Sequence, residues 1–298
     1  MKRIAGVILI FLSVALFPPQ AVYSQASPKK ILIGILPEMN VFKQKHRFKL
    51  LGEYLSKKTG VTIEITILSK YTNIIDRFHT QKMDGAFFGS FTGALAIRKL
   101  GVVPLARPVD LDNRSTYCGY LFVRKDGGIR TVKDMKGKKM AYVDRATTAG
   151  YVFPQAFLRK NGVMDTDHFF GEYFFTGSHD AAIDAVLDRN ADIGAAKNTI
   201  YDRLRRENPR VDRELLVLAK SAHVPENGLC VRKDLDDALK QKLKQALLEM
   251  DGETEGKDVL RKFGAIRFVA TRAEDYQPVF QLVKEAGIVI KPYEYLSK

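Results

Sequence analysis

The stretch ILIGILPEMNVFKQKHRFKLLGEYLSKKTGVTIEITIL, residues 31–68, decides the fold class. Ile31–Leu36 is a continuous apolar run of strand length. Phe48, Leu51 and Leu55 recur at helical spacing within Lys43–Lys58, and Val61–Leu68 alternates β-branched with other residues. Strand, amphipathic helix, strand reads as a right-handed βαβ unit at the start of a parallel sheet. The alternation continues with a helix over Ile74–Gln81, a strand over Gly85–Phe88, a helix over Thr92–Leu100 and a strand over Val102–Leu105.

From Pro108 to Tyr117 the sequence turns polar and irregular, and a second alternation follows. It predicts strands at Tyr120–Arg124, Lys138–Val143, Tyr173–Phe175, Asp192–Ala196 and Leu215–Ala219, with helices at Gly150–Lys160, His179–Asp188 and Asn198–Glu207. A last strand, Leu229–Arg232, is followed by helices Leu235–Met250, Glu255–Phe263 and Ala273–Ala286, with a short strand at Arg267–Val269. This helical tail is expected to cover the first unit. The expected organisation is an α/β protein of two lobes around a hinged cleft, residues 27–108 plus 225–298 forming a discontinuous first lobe and residues 109–224 the second. Ligands of such folds bind at the carboxyl ends of strands, where helix N-termini point inward.

The segment before residue 27 sets the compartment. Lys2 and Arg3 precede an uncharged run from Ile4 to Phe17, then Pro18-Pro19 and the small-residue stretch ending Ser24-Gln25-Ala26. That is the layout of a cleavable secretory signal peptide over residues 1–26, and its apolar run is short for a permanent span, which needs about 20 residues. No Cys follows the cleavage region, so the expectation is a freely diffusing periplasmic protein without a lipid anchor.

At 298 residues, with 46% hydrophobic and 28% charged residues, two Cys and no Trp, the chain is neither disordered nor a disulfide-stapled mini-domain. The net charge of +14 asks for an anionic partner. The Lys and Arg residues are scattered through amphipathic segments without an aromatic-rich basic motif, so nucleic acid is not expected. Cys118 and Cys230 each precede a strand-like segment, and a bridge and two buried thiols both remain open.

Three strand-to-helix junctions share one chemistry: Gly89-Ser90-Phe91-Thr92-Gly93, Asp144-Arg145-Ala146-Thr147-Thr148-Ala149-Gly150-Tyr151, and Thr176-Gly177-Ser178-His179-Asp180. Each puts hydroxyl residues and Gly where helix amides lack intrahelical acceptors and the dipole is positive. Plain N-capping explains any one of them. Three converging on one cleft make an oxyanion socket that needs no bound cation. His179, in a first helical turn, can donate a hydrogen bond to such an anion. Pro154 either loosens the helix after Thr148 or marks a later helix start. No nucleophile elbow, Walker loop or HExxH motif is present, and the His and Cys spacings suit no metal. Enzyme activity, a cofactor and a metal are therefore not expected.

The same junctions resemble the phosphate/phosphite/phosphonate-binding proteins of ABC importers, which have the type II periplasmic-binding fold. The resembling stretches are Ile33–Pro37, Asp84–Ser90, Tyr117–Asp126, Thr131–Lys138, Val143–Tyr151, Gly177–Val186 and Ala191–Ala195. The resemblance implies ligand contacts from Thr147, Thr148, the Ala149 amide and His179 in the second lobe. It implies Ser90, Phe91 and Thr92 in the first; Ser178, Tyr151 and Asn198 complete the candidate set without that support. Where aminophosphonate binders resemble A-V-D, this chain has Ala196-Lys197-Asn198. A neutral Asn does not neutralise an ammonium in a dry cleft, which disfavours an aminoalkylphosphonate. The loop Pro37–Phe42 lacks the Tyr that such proteins place there, leaving Glu38 or Phe42 as its stand-in. The implied function is capture of a small phosphorus oxyanion by a monomer that delivers it to an ABC permease in the inner membrane. The alternatives are a sensory module presenting the same anion to a membrane receptor kinase, and a periplasmic enzyme.

Overall fold

The computed structural model describes residues 30–71 and 74–290; the segment read as a signal peptide, residues 1–26, lies outside the described residues. The chain opens with β1 (Lys30–Ile35), α1 (Val41–Thr59), β2 (Thr62–Ile67), α2 (Ile74–Thr80), β3 (Gly85–Phe88), α3 (Ser90–Leu100) and β4 (Val103–Asp110). β1 lies between β2 and β3 and is parallel to both, as the opening βαβ pattern requires. Helix α1 starts two residues earlier than its apolar spacing suggests, because the Asn40 carboxamide accepts from the Phe42 and Lys43 amides. It stops at Gly60, in the left-handed conformation with φ 73°.

The second sheet is built from β6 (Gly119–Arg124), β7 (Lys139–Tyr142), β8 (Glu172–Phe175), β9 (Ile193–Lys197) and β10 (Leu215–Lys220), in the order β10-β6-β9-β7-β8. Two short strands, β5 (Thr116–Tyr117) before it and β11 (Val224–Pro225) after it, pair antiparallel where the chain enters and leaves the second sheet. Its helices are α4 (Phe153–Lys160), α5 (His179–Leu187), α6 (Asn198–Glu207) and α7 (Pro209–Glu214). The chain then returns through β12 (Gly228–Val231), α8 (Asp237–Leu248), α9 (Thr254–Phe263), β13 (Ala265–Ala270) and α10 (Gln277–Glu285). β12 inserts antiparallel between β3 and β4, giving the first sheet the order β13-β4-β12-β3-β1-β2. This is the two-sheet layout of a type II periplasmic-binding fold. Ile31, Ile33 and Ile35 of β1 bury against Phe48, Leu51 and Leu55 of α1 and against Leu239, Leu243 and Leu260 of the returning helices.

Several expectations are corrected. The polar stretch after Pro108 is less irregular than it reads. β4 runs on to Asp110, whose carboxylate accepts from the amides of Asp112 and Arg114 and closes a compact turn. Helix α4 begins at Phe153 with Pro154 in its first turn, so the proline marks a later start, and a wide π-type turn, Thr148–Val152, precedes it. The tail does not cover the first sheet alone. Val279, Leu282 and Val283 of α10, with Ala286 just after it, share one core with Phe88 and Phe91 on one side and Val143, Ala149, Val152 and Ala156 on the other. Cys118 and Cys230 are free, buried thiols, and burial pushes the Cys230 thiol up to about 12.

Candidate functional site

The three junctions read from the sequence lie where the two sheets face each other, at the carboxyl ends of β3, β7 and β8. Helix α3 starts directly at Ser90, with Gly89 extended and no side chain capping its first turn. Ser90 Oγ donates to the Pro225 carbonyl at 2.7 Å and lies 2.8 Å from the Tyr117 hydroxyl. A hydroxyl has one hydrogen, so the Tyr117 O–H is left to donate to Ser90. Ser90 thereby ties α3 to both β5 and β11. Thr92 Oγ1 donates to the Gly89 carbonyl, and Phe91 is buried in the core shared by the two sheets.

At the second junction Asp144 organises the turn. Its carboxylate accepts from the Ala146 amide, and its carbonyl accepts from the amide and the hydroxyl of Thr147. Ala149 is buried beside Thr148. Thr148 Oγ1 is buried near the Tyr117 hydroxyl but outside hydrogen-bonding geometry, and has no partner among the described residues. Gly150 makes the turn this tight: a Cβ there would sit 2.5 Å from Val143 Cβ and 2.8 Å from Thr147 Oγ1. Gly150→Ala is expected to lower unfolding stability by about 1–3 kcal/mol, the usual cost of overpacking. Urea titration checks this.

At the third junction Ser178 caps α5. Its hydroxyl donates to the Asp180 carboxylate and accepts from the Ala181 amide. His179 is 4% exposed; its amide donates to the Glu38 carbonyl, and its Nδ1 accepts from the Lys197 amide at 3.2 Å. An accepting Nδ1 places the ring hydrogen on Nε2. Burial, with Lys197 adding to it, holds the imidazole pKa down at about 4 against the pull of Glu38 and Asp180. The ring is therefore a neutral donor at neutral pH.

The remaining candidates are engaged elsewhere. The Tyr151 hydroxyl accepts from Arg145 at 2.8 Å, and Arg145 stacks over Tyr151 and Phe175. Asn198 exchanges two hydrogen bonds with the Cys118 backbone, its Oδ1 accepting at 2.8 Å and its amide donating at 2.9 Å. Asn198 thus locks the β9–α6 junction to the link between β5 and β6.

Sequence reasoning missed three groups. Tyr71, beyond the end of β2, is 3% exposed, meets the His179 ring edge-on at 6.2 Å, and has a buried hydroxyl with no partner among the described residues. A strand's carboxyl end is where such a residue belongs. Tyr117, at the end of β5, is the second. The third is Lys197, 2% exposed, whose ammonium is held by Glu38 Oε1 at 2.9 Å and by Glu226, and lies 4.4 Å from the Tyr117 ring centroid. Burial works against the Lys197 charge, but Glu226 and Glu38 hold its pKa above the usual range. Burial likewise opposes ionisation of Glu38, but Lys197 and His179 hold its carboxyl below the usual range. Of the two stand-ins proposed for the loop, Glu38 faces this cluster and Phe42 is 80% exposed.

Hydroxyls without partners among the described residues, a neutral imidazole donor and an uncapped helix start come together between the two sheets. Known proteins supply the family. A family model described as "ABC transporter, phosphonate, periplasmic substrate-binding protein" matches residues 33–276, and the chain belongs to that family. A probable ABC transporter phosphite-binding protein of Prochlorococcus marinus is 24% identical over 267 residues, 86% of this chain and 90% of that one. The crystal structure of a binding protein component of an ABC phosphonate transporter from Pseudomonas aeruginosa superposes with a TM-score of 0.79 at 25% identity, covering 88% of this chain and 87% of that one. A Prochlorococcus marinus structure in complex with methylphosphonate superposes with a TM-score of 0.78 at 22% identity, covering 88% of this chain and all of that one. The family is one of substrate-binding transport proteins, and the receptor-kinase alternative finds no support among these matches.

Proposed function

We propose that this chain captures a small phosphorus oxyanion, phosphate, phosphite or a simple phosphonate, between its two sheets and presents it to an inner-membrane ABC permease. In this reading residues 1–26 direct export and are removed. The lobes formed by residues 27–108 with 225–298 and by residues 109–224 close over the anion, and the periplasmic protein works as a monomer. No bond is made or broken, and no cofactor or metal takes part. Ligand contacts come from Thr148, the Thr147–Ala149 turn, His179 Nε2, Tyr71 and the start of α3 at Ser90–Thr92.

The observation that carries this reading is the pair of buried hydroxyls, Tyr71 Oη and Thr148 Oγ1, that no group among the described residues satisfies. A buried hydroxyl without a partner costs about 1–3 kcal/mol, and a bound oxyanion is a natural acceptor for two at once. Charge-assisted hydrogen bonds of this kind contribute about 1.5–3 kcal/mol each, so a handful supports micromolar binding after ordering costs. The prediction is a melting-temperature rise with phosphite, methylphosphonate or phosphate at millimolar concentration, by mass action. Sulfate serves as the control. No shift with any of the three phosphorus compounds would remove the ligand assignment.

A further inference from the structure

Lys197 is a buried charged side chain beside the proposed anion site that is not needed to bind an anion. Its backbone amide fixes His179, while its ammonium points away into a seat made of two carboxylates, Glu38 and Glu226, the Asn227 carboxamide oxygen at 3.4 Å, and the face of Tyr117. The hydroxyl of that Tyr117 reaches Ser90, so one aromatic side chain touches both the anion pocket and the cation seat. Two carboxylates and an aromatic face together suit an organic ammonium, and Arg47, which lies in the field of both carboxylates, balances the second negative charge. On its outer side the cluster lines a cavity of about 420 Å³ with Arg47, Pro108, Ile200 and Arg203. His179, Ser90 and Thr148 do not line that cavity. Lys197 therefore stands between the inner pocket and the space into which a larger substituent would extend.

We propose that Lys197 is a specificity-determining residue: its tethered ammonium occupies the seat that a ligand ammonium would take between Glu38, Glu226 and Tyr117, and so restricts the site to oxyanions without a cationic substituent. This rests on the reading of the inner pocket as a phosphorus-oxyanion site. Asn198, which the sequence suggested as the reason for rejecting an ammonium, is committed to the Cys118 backbone, so the selectivity passes to its neighbour.

The test compares methylphosphonate with 2-aminoethylphosphonate by calorimetry on the full exported chain. The wild type is expected to prefer methylphosphonate by about tenfold or more. Lys197→Ala vacates a space equal to one n-propylammonium and is expected to move that ratio by about tenfold or more towards 2-aminoethylphosphonate. n-Propylammonium alone is expected to raise the melting temperature of the variant and not of the wild type. Should Lys197→Ala fail to fold with two facing carboxylates, Lys197→Ala/Glu226→Gln keeps the buried net charge unchanged and retains Glu38 for the ammonium. A ratio unchanged in the folded variant overturns the proposal. If no phosphorus compound binds the wild type, the pocket assignment fails by itself. In that case n-propylammonium stabilisation still upholds the seat, and its absence overturns it.

Discussion

Tyr71→Phe and Thr148→Val are each expected to weaken binding of methylphosphonate or phosphite by roughly tenfold to a hundredfold while leaving the unliganded protein equally or more stable. The two effects are opposite in sign because the hydroxyls do different things in the two states. Without ligand each hydroxyl is buried and has no partner among the described residues, so replacing it with an apolar group of similar shape removes a desolvation cost. With an oxyanion present each donates a charge-assisted bond, and its loss costs about 1.5–3 kcal/mol. Ordinary core residues behave otherwise: truncating them lowers stability and leaves affinity alone. Isothermal calorimetry and urea unfolding on the same preparations separate the cases. An unchanged dissociation constant, or an unliganded protein destabilised by more than about 1 kcal/mol, would mean that these hydroxyls serve the fold. The sites are coupled through Tyr117 and His179, so the double variant is not expected to be additive.

The fold was legible where one periodicity governed a whole segment. Ile31–Ile35 and Gly85–Phe88 are buried almost throughout, and their continuous apolar runs name them as inner strands of a parallel arrangement. The three site junctions were legible for the same local reason, since a strand ending in Gly and hydroxyl residues before a helix is a sequence-level pattern. What escaped depends on long-range pairing. Asn198 and Tyr151 carry suitable groups at suitable places, but Cys118, 80 residues away, and the Arg145 guanidinium claim them first. Lys197 reads in sequence as one more surface cation. Its burial follows from Glu38, 159 residues before it, and Glu226, 29 residues after it, neither of which periodicity connects to it. Tyr71 follows a strand whose end was predicted, yet nothing local distinguishes it from a core aromatic. The same limit applies to α10, whose amphipathic pattern gives an apolar face without saying that two different sheets share it.

Wild-type protein is expected to lose about 2 kcal/mol more stability than His179→Gln between pH 7 and pH 4.5. The sign follows from the direction of the shift. Burial holds the folded-state pKa at about 4, whereas an exposed histidine in the unfolded chain titrates near the ordinary value of about 6.5. Between those values the unfolded chain carries a proton that the folded protein refuses, so stability falls as pH drops through that window and levels off below about 4. Glutamine does not titrate there and can still accept from the Lys197 amide, so the difference between the two proteins isolates this one group. Urea unfolding at the two pH values measures it. Equal losses would mean that His179 takes up its proton in the folded state. That result would also undo the binding geometry, because a neutral ring whose Nδ1 accepts from Lys197 is what leaves Nε2–H as the donor. A charged ring would need a second acceptor at Nδ1, where the Lys197 amide now stands. Burial, the neighbouring ammonium and the β9 backbone all favour the uncharged tautomer of the imidazole at neutral pH, so on the proposed reading the site draws negative charge through oriented dipoles and not through a cation of its own.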